Sequence, residues 1–450
     1  MKLKKISEFY KTFIFLGIPL VVQQFITSSL NFIDNLMIGR LGTHYIAAVG
    51  FANSIYRIYD LFLFGLYSGM GIFIAQYYGK KDYATIKKIF GKMVKNGLIL
   101  GTSFTTIVYL FGEKIMGIYT KDPVVLQISL SYIKLAVFSY IFYALSFSIS
   151  YSCRSMGKTK VSMIASATGV SINTIFNYML IYGNFGMPKL AEKGAAIATI
   201  IARIFELCIF VLVIYLKDYH LKGNLNSYLN LSKKLIKEIY KKSIPVFFTE
   251  AMWILGTISL TVAYARLGTI QAAAVQISDI VMAIGAIIFM GVSNSSAIII
   301  GHTIGQGDFD KVISYSKKII KISAIMALIA GIFIEISTPT IVNLYKLDPI
   351  VHDLAIKVMR VAGGFVFFKM ICWSILIGLF RAGGDTRVAF FLDTLPNWLY
   401  SIPVAFTGAY LKVSVYKLMI IVELAEIIKF IFAYYRYKSL KWIKDVTVKE

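Results

Sequence analysis

The sequence predicts an all-α polytopic membrane protein of twelve transmembrane helices, built as two six-helix lobes related by a pseudo-twofold axis. Three observations carry that expectation. Of the 450 residues, 58% are hydrophobic and only 16% charged, where soluble domains carry about 25%. Twelve apolar runs punctuate the chain, each of about 20 residues or more and so long enough to cross ~30 Å of hydrocarbon as a helix. The two halves of the chain also repeat one another in a single register. Lys and Arg number 47 against 23 Asp and Glu, a formal charge of +24. These basic residues alternate with apolar runs and do not gather on one soluble face, so no nucleic-acid partner is expected.

The first run starts near Thr12, after Lys2, Lys4 and Lys5. It is too long for a signal peptide and lacks a small-residue cleavage site, so it reads as an uncleaved helix. Pro19 inside it removes a backbone hydrogen bond, and acts as a hinge or merely breaks the first turn. Asp34 lies roughly 33 Å beyond Thr12 at 1.5 Å per residue, in the outer half of the span. A charge at such depth costs about 2.5–3.5 kcal/mol unless it is paired or faces a wet cavity, and this carboxylate can hold a proton or Na⁺ and release it on the other side.

The second run, from Ile46, carries aromatic residues toward its ends, Tyr56 and Tyr59, then Tyr77 and Tyr78, where interfacial rings are favoured. Its Arg57 and Asp60, three apart, read as an intrahelical pair. The third, from Met93, has Gly97 and Gly101 at a spacing that fits close helix packing; the fourth starts near Leu126. The fifth, from Val161, sets Asn173 and Asn177 four apart on one helix face. Their carbonyl oxygens suit a cation and their amides a carboxylate, although interhelical polar glue is the plainer role. The sixth, from Gly194, brings the Thr199 hydroxyl to comparable depth, and Arg203 and Glu206 read as a second intrahelical pair.

Residues 217–242, polar and rich in Lys and Asn, read as a cytoplasmic linker between a lobe at 1–216 and a lobe at 243–450. The remaining runs start near Ile244, Gln271, Ile322, Val351, Val388 and Ser414. Glu250, about seven residues into the seventh span, fits either a cavity acid or an interfacial one. Asp279 lies in the eighth and Lys369 in the tenth, where the lysine needs an acid such as Glu250, Asp279 or Asp393. The twelfth carries Glu423 and Glu426. A shift of 226 residues lays Ile18-Pro19 on Ile244-Pro245, Arg40-Leu41-Gly42-Thr43 on Arg266-Leu267-Gly268-Thr269, Gly79 and Asp82 on Gly305 and Asp308, and Asp122-Pro123 on Asp348-Pro349. One further residue of shift aligns Arg154, Gly157 and Thr159 with Arg381, Gly384 and Thr386. Six spans separate the copies, so this is a parallel repeat, of the kind that encloses a substrate cleft in transporters. Pro245 duplicates Pro19 as a second hinge candidate.

With the N-terminus taken as cytoplasmic, 31 of the 47 basic residues fall in loops on that side, which puts both termini inside by the positive-inside rule and the surplus charge beside anionic headgroups. The expected setting is a bacterial-type plasma (inner) membrane. No enzyme is expected. Gly157-Lys158-Thr159 has Ser152 where a phosphate loop needs Gly, and the four histidines form no metal or hydrolytic motif. The cysteines, Cys153, Cys208 and Cys372, are too scattered for a disulfide framework and read as small buried hydrophobes.

In sum the chain resembles the multidrug and toxic compound extrusion (MATE) family from about Phe9 to Tyr437. The carriers are the proline-led first helix ending in Phe32-Ile33-Asp34-Asn35, Gly39 to Gly42, Ala47 to Gly50, Gln76 to Asp82, Asn173 to Asn177, Gly194 to Thr199 and Arg381 to Thr386. The resemblance implies antiport, with Na⁺ or H⁺ entering as an amphipathic, cationic organic compound leaves. It needs no cofactor and is expected of a monomer in lipid. It implies that Asp34 binds the coupling ion with Asn173, Asn177 and Thr199 around it, the first three being the ligands if the ion is Na⁺. It further implies a second-lobe site at Glu250, with Asp279 and Lys369 the other candidates there. Two departures from the family pattern weaken that second site: Asn177 stands where some relatives have Asp, and the tenth helix offers Lys369 without an acid. A flippase for a lipid-linked oligosaccharide is the alternative within the same superfamily.

Overall fold

A computed structural model describes residues 8–217, 220–345 and 347–447. Lys2, Lys4, Lys5, Lys346 and Lys449, counted above among the loop charges, lie outside the described residues. The architecture is all helical: α1 (Glu8–Gly39), α2 (Thr43–Gly79), α3 (Tyr83–Tyr119), α4 (Pro123–Ala136), α5 (Ser139–Ser155), α6 (Thr159–Tyr182) and α7 (Ala191–Lys217) are followed by the single turn α8 (Leu225–Tyr228). Then come α9 (Lys233–Ala265), α10 (Thr269–Gly305), α11 (Phe309–Asn343), α12 (Pro349–Trp373), α13 (Thr386–Pro396), α14 (Ile402–Tyr410) and α15 (Val415–Lys438). Among the described residues nine helical segments are long and apolar enough to cross a membrane, and α4 with α5, bent by 49°, makes a tenth. The succession α13, a π-helical stretch Asn397–Ser401 and α14 runs as one further segment, and α15 as another. The twelve runs read from the sequence are thus helical. Apolar side chains such as Phe32, Leu110, Ile118 and Ile336 point outward while serines and asparagines are buried, the arrangement expected where lipid is the solvent.

Much of the repeat is turn chemistry. Gly42 and Gly268 precede α2 and α10 with φ of 128° and 129°, a conformation that side-chain-bearing residues avoid. Asp82 and Asp308 cap α3 and α11, their carboxylates accepting from the backbone N–H of Thr85 and Lys311 at 3.0 Å, which satisfies an orphan donor of the first turn. Asp122-Pro123 and Asp348-Pro349 open α4 and α12 with proline in the first turn, where its missing N–H costs nothing.

The described residues divide into two compact units, one within 18–237 and the other formed by 8–17 and 238–447. In the first, α2 is central: Tyr59, Leu63, Tyr67, Met70 and Phe73 are fully buried on it. The α4–α5 bend frees carbonyls that hydrocarbon cannot solvate, and neighbouring hydroxyls take them up. Thr105 donates to Val137 O (2.9 Å) and Tyr59 to Tyr140 O (2.8 Å). In the second unit, α12 packs against α10, α11 and α15 and continues into a π-helical stretch Ser374–Arg381. Pro19 and Pro245 lie well inside α1 and α9, so neither breaks a first turn. Cys153 and Cys372 are buried, but Cys208 is exposed, because its face of α7 looks outward.

In the first unit α6 and α7 approach closely, and a Cβ on Gly194 would stand 2.5 Å from Leu180 O. Gly194→Val should therefore lower the thermal unfolding temperature of the purified protein in detergent, a loss of about 1–3 kcal/mol, whereas Gly50→Ala, inside α2 and meeting nothing, should hold or raise it, since Ala is favoured over Gly within a helix by about 0.5–1 kcal/mol.

Candidate functional site

The distal end of α1 carries Asp34 five residues before the helix stops at Gly39. Tyr182, at the end of α6, donates to Met37 O at 2.8 Å and so fixes the two helix ends together. Along α6, Asn173 and Asn177 are buried on one face, as their spacing requires. Asn177 Nδ2 donates to Asp34 Oδ1 at 2.7 Å and to Asn173 Oδ1 at 2.8 Å; Asn173 Nδ2 donates to Thr199 Oγ1 on α7 at 3.4 Å. Thr199 passes its own proton to Ala195 O (3.0 Å), one turn back. The structure therefore brings Asp34, Asn173, Asn177 and Thr199 into one chain of hydrogen bonds, in which Asn177 donates to the carboxylate and the remaining donors run away from it, toward Thr199 and Ala195 O. One buried atom is left over: Asn177 Oδ1 has no hydrogen-bond partner. A carboxylate beside an unspent amide oxygen is a donor set that suits a small cation. Among the described residues, no three His, Cys, Asp or Glu side chains gather as a metal cluster.

Sequence reading missed the surroundings of this chain. The Arg203 charge acts on Asp34 and on Asp60. Its guanidinium binds Glu206 at 2.7 Å, as expected for the i,i+3 pair, but also reaches Tyr56 Oη at 3.3 Å and lies 4.6 Å from the Tyr143 ring. Arg57 and Asp60 do not pair. Arg57 donates to Ser54 Oγ at 2.9 Å and Asp60 accepts from Tyr143 Oη at 2.5 Å, because Asp60 faces α5 and Arg57 does not. Glu206 continues the network through Ser166 Oγ (3.4 Å), which accepts from Gln23 Nε2 (3.0 Å). One arginine thus serves three carboxylates, and their helical spacings gave no sign of it.

Of the second-unit candidates, Asp279 and Lys369 come within range of one another's charge, while Glu250 is engaged elsewhere. Glu250 binds Arg381 Nη1 at 2.7 Å, near the end of the unit where Lys242 donates to Gly384 O and Asp385 accepts from Arg436 and Lys444. Lys369 has an acid, but it is Glu423 on α15, at 3.0 Å. It is not bonded to Glu250, Asp279 or Asp393, although its charge acts on Asp279. Asp393 binds Lys429 at 3.1 Å.

The MatE family profile matches residues 19–179 and 245–407. The two matches begin at Pro19 and Pro245, the same shift that superposes the repeat. The chain is 28% identical over 415 residues to a "Probable multidrug resistance protein NorM" of Streptococcus pneumoniae (strain ATCC BAA-255 / R6), covering 90% of this chain and 89% of that one. Its fold is similar to the crystal structure of an aspartate-to-asparagine mutant of the Vibrio cholerae MATE transporter VcmN, with a TM-score of 0.88, 19% identity and coverage of 96% and 97%. It is similar also to a MATE crystal structure in a bent conformation, with a TM-score of 0.87, 18% identity and 97% coverage of both chains.

Removing the shared cation should be costly. Arg203→Leu leaves Glu206, Asp60 and Asp34 without it, and breaking a buried pair costs about 3–5 kcal/mol. The expected outcome is a sharp drop in thermal stability or yield of folded protein, with Arg203→Lys recovering part of it by the same assay.

Proposed function

Because the chain belongs to the MATE family of multidrug and toxic compound extrusion transporters, we propose that it exports amphipathic organic cations in exchange for a cation, Na⁺ or H⁺, bound at Asp34. The observation that carries this reading is the 2.7 Å bond from Asn177 to Asp34 beside the unspent Asn177 oxygen. A ligand shifts a conformational equilibrium only through differential affinity, so Asp34 binds the ion more tightly in one state than in the other. Ion binding withdraws the carboxylate from Asn177 and repacks the distal end of α1, with Pro19 as the hinge in that helix and Pro245 its counterpart in α9. For Na⁺ the ligands are Asp34, Asn177 and Asn173; for H⁺ the carboxylate alone suffices.

The protein sits in a bacterial-type inner membrane as a monomer in contact with lipid. Both termini are cytoplasmic, as the basic loop residues require, and the functional halves are the lobes 1–216 and 243–450 joined by the linker 217–242. Two lysines that would attract a pyrophosphate headgroup, Lys369 and Lys429, are each held by carboxylates. That favours drug export over the flippase alternative.

The test is efflux of a fluorescent organic cation from proteoliposomes, driven in separate runs by a Na⁺ gradient and by a H⁺ gradient. One gradient should drive export and so identify the ion. Asp34→Asn should reduce driven export to the background of empty liposomes while leaving the protein folded and inserted; undiminished export would sink the assignment. For Na⁺ coupling, Asn177→Ala removes a ligand and should raise the gradient needed for half-maximal rate; for H⁺ coupling it removes the bond that stabilises the ion-free carboxylate, worth about 1.5–3 kcal/mol, and should lower that gradient by about ten-fold or more.

A further inference from the structure

The antiport step above uses no ionisable group of the second unit, yet that unit holds a denser set of charges within its spans than the first. α15 presents Glu423, Glu426 and Lys429, spaced three apart and so along one side of the helix. α12 adds Lys369 and Cys372, α13 adds Asp393 and α10 adds Asp279, while Tyr264 of α9 faces Glu423 and Asp279. Lys369 with Glu423 (3.0 Å) and Lys429 with Asp393 (3.1 Å) make two neutral pairs. Glu426 is the surplus carboxylate among the groups in direct contact. Its Oε1 shares the Lys429 ammonium at 3.1 Å, its side chain is 9% exposed, and its Oε2 is buried without any hydrogen-bond partner.

A surplus carboxylate in a water-poor interior is neutralised most simply by a proton. A metal cation does not fit, because Lys429 already occupies the space 3.1 Å from Glu426 Oε1 and repels a second positive charge. We propose that Glu426 is a proton-binding site of the second unit, separate from Asp34. The proton adds to Oε2. With Glu426 protonated, Lys429 belongs to Asp393 alone; with Glu426 ionised, the ammonium is shared between the two acids. Asp393 stands one turn before Pro396 and the π-helical stretch Asn397–Ser401. Such stretches are often found at functional sites, so the state of Glu426 bears on the geometry of α13.

This inference stands on the geometry of the second unit and holds whether or not Asp34 couples transport. The test is infrared difference spectroscopy of the full-length protein in lipid, titrated between acid and alkaline pH, following the stretching band of protonated carboxyl groups. The expected result is a titrating band that Glu426→Gln deletes and Asp34→Asn leaves in place. A set of bands unchanged by Glu426→Gln overturns the proposal, even if Asp34→Asn abolishes efflux. Should the glutamine variant fail to fold, Glu426→Asp keeps a carboxyl group and should shift that band in frequency; an unshifted band overturns the proposal equally.

Discussion

Hydrocarbon offers no hydrogen bonds, and that constraint governs this molecule from its backbone to its charges. Each polar group within a span must find a partner in the protein. The α4–α5 bend persists because Thr105 and Tyr59 take the carbonyls it frees, and Tyr67, fully buried, bonds both Met93 O and Ala144 O. Serines and threonines along the helices return their hydroxyls to the carbonyl one turn back, as Ser129, Thr249, Ser296 and Thr303 do. The same constraint makes any group left unsatisfied conspicuous. Ten buried side-chain atoms among the described residues lack a partner, most of them hydroxyls; of the ten, Asn177 Oδ1 lies beside a carboxylate and Glu426 Oε2 on one.

The two units meet the cost of buried charge in opposite ways. The first uses a single cation, Arg203, whose planar guanidinium can bind Glu206 and Tyr56 and stack on Tyr143 while acting on Asp34 and Asp60 at longer range. A delocalised, always-charged group suits that shared role. The second uses two lysines, compact point charges that each take a partner acid. Shared long-range compensation leaves Asp34 bonded by nothing stronger than Asn177, a neutral donor, and so available to a cation. Direct pairing leaves one carboxylate oxygen of the second unit, Glu426 Oε2, buried without a hydrogen-bond partner among the described residues.

The fold was legible in the sequence because its determinants are local. Run lengths set the twelve helices, Gly42 and Gly268 marked turns that only glycine forms easily, and the 3.6-residue period put Asn173 and Asn177 on one face. What a helical period cannot tell is which neighbouring helix a face meets. Asp60 was matched to Arg57 by spacing and in fact accepts from Tyr143, 83 residues away; Lys369 was offered three acids and took Glu423, 54 residues away. Nor could spacing distinguish a cavity acid from a paired one at Glu250, since Arg381, its partner, belongs to a segment read as a basic loop. The π-helical stretches were also invisible, because they depend on tertiary packing around Pro396 and the end of α12.

The internal repeat sharpens the division between scaffold and chemistry. The duplicated residues build turns and caps (Gly42 and Gly268, Asp82 and Asp308), start helices (Pro123 and Pro349) or interrupt them at depth (Pro19 and Pro245). The charged residues within the spans are not duplicated: the position matching Asp34 is Leu260. An ion pair recurs midway along α7 and α15, Arg203 with Glu206 and Glu426 with Lys429, but with the order of signs reversed. Reversal changes which group is surplus. Where the cation leads, it faces several acids of its unit and moderates them all; where the acid leads, the lysine is drawn to Asp393 and the acid keeps an oxygen without a partner. A duplicated scaffold has thus been fitted with two different solutions to one electrostatic problem, and only the first leaves a carboxylate whose sole direct bond is to a neutral amide.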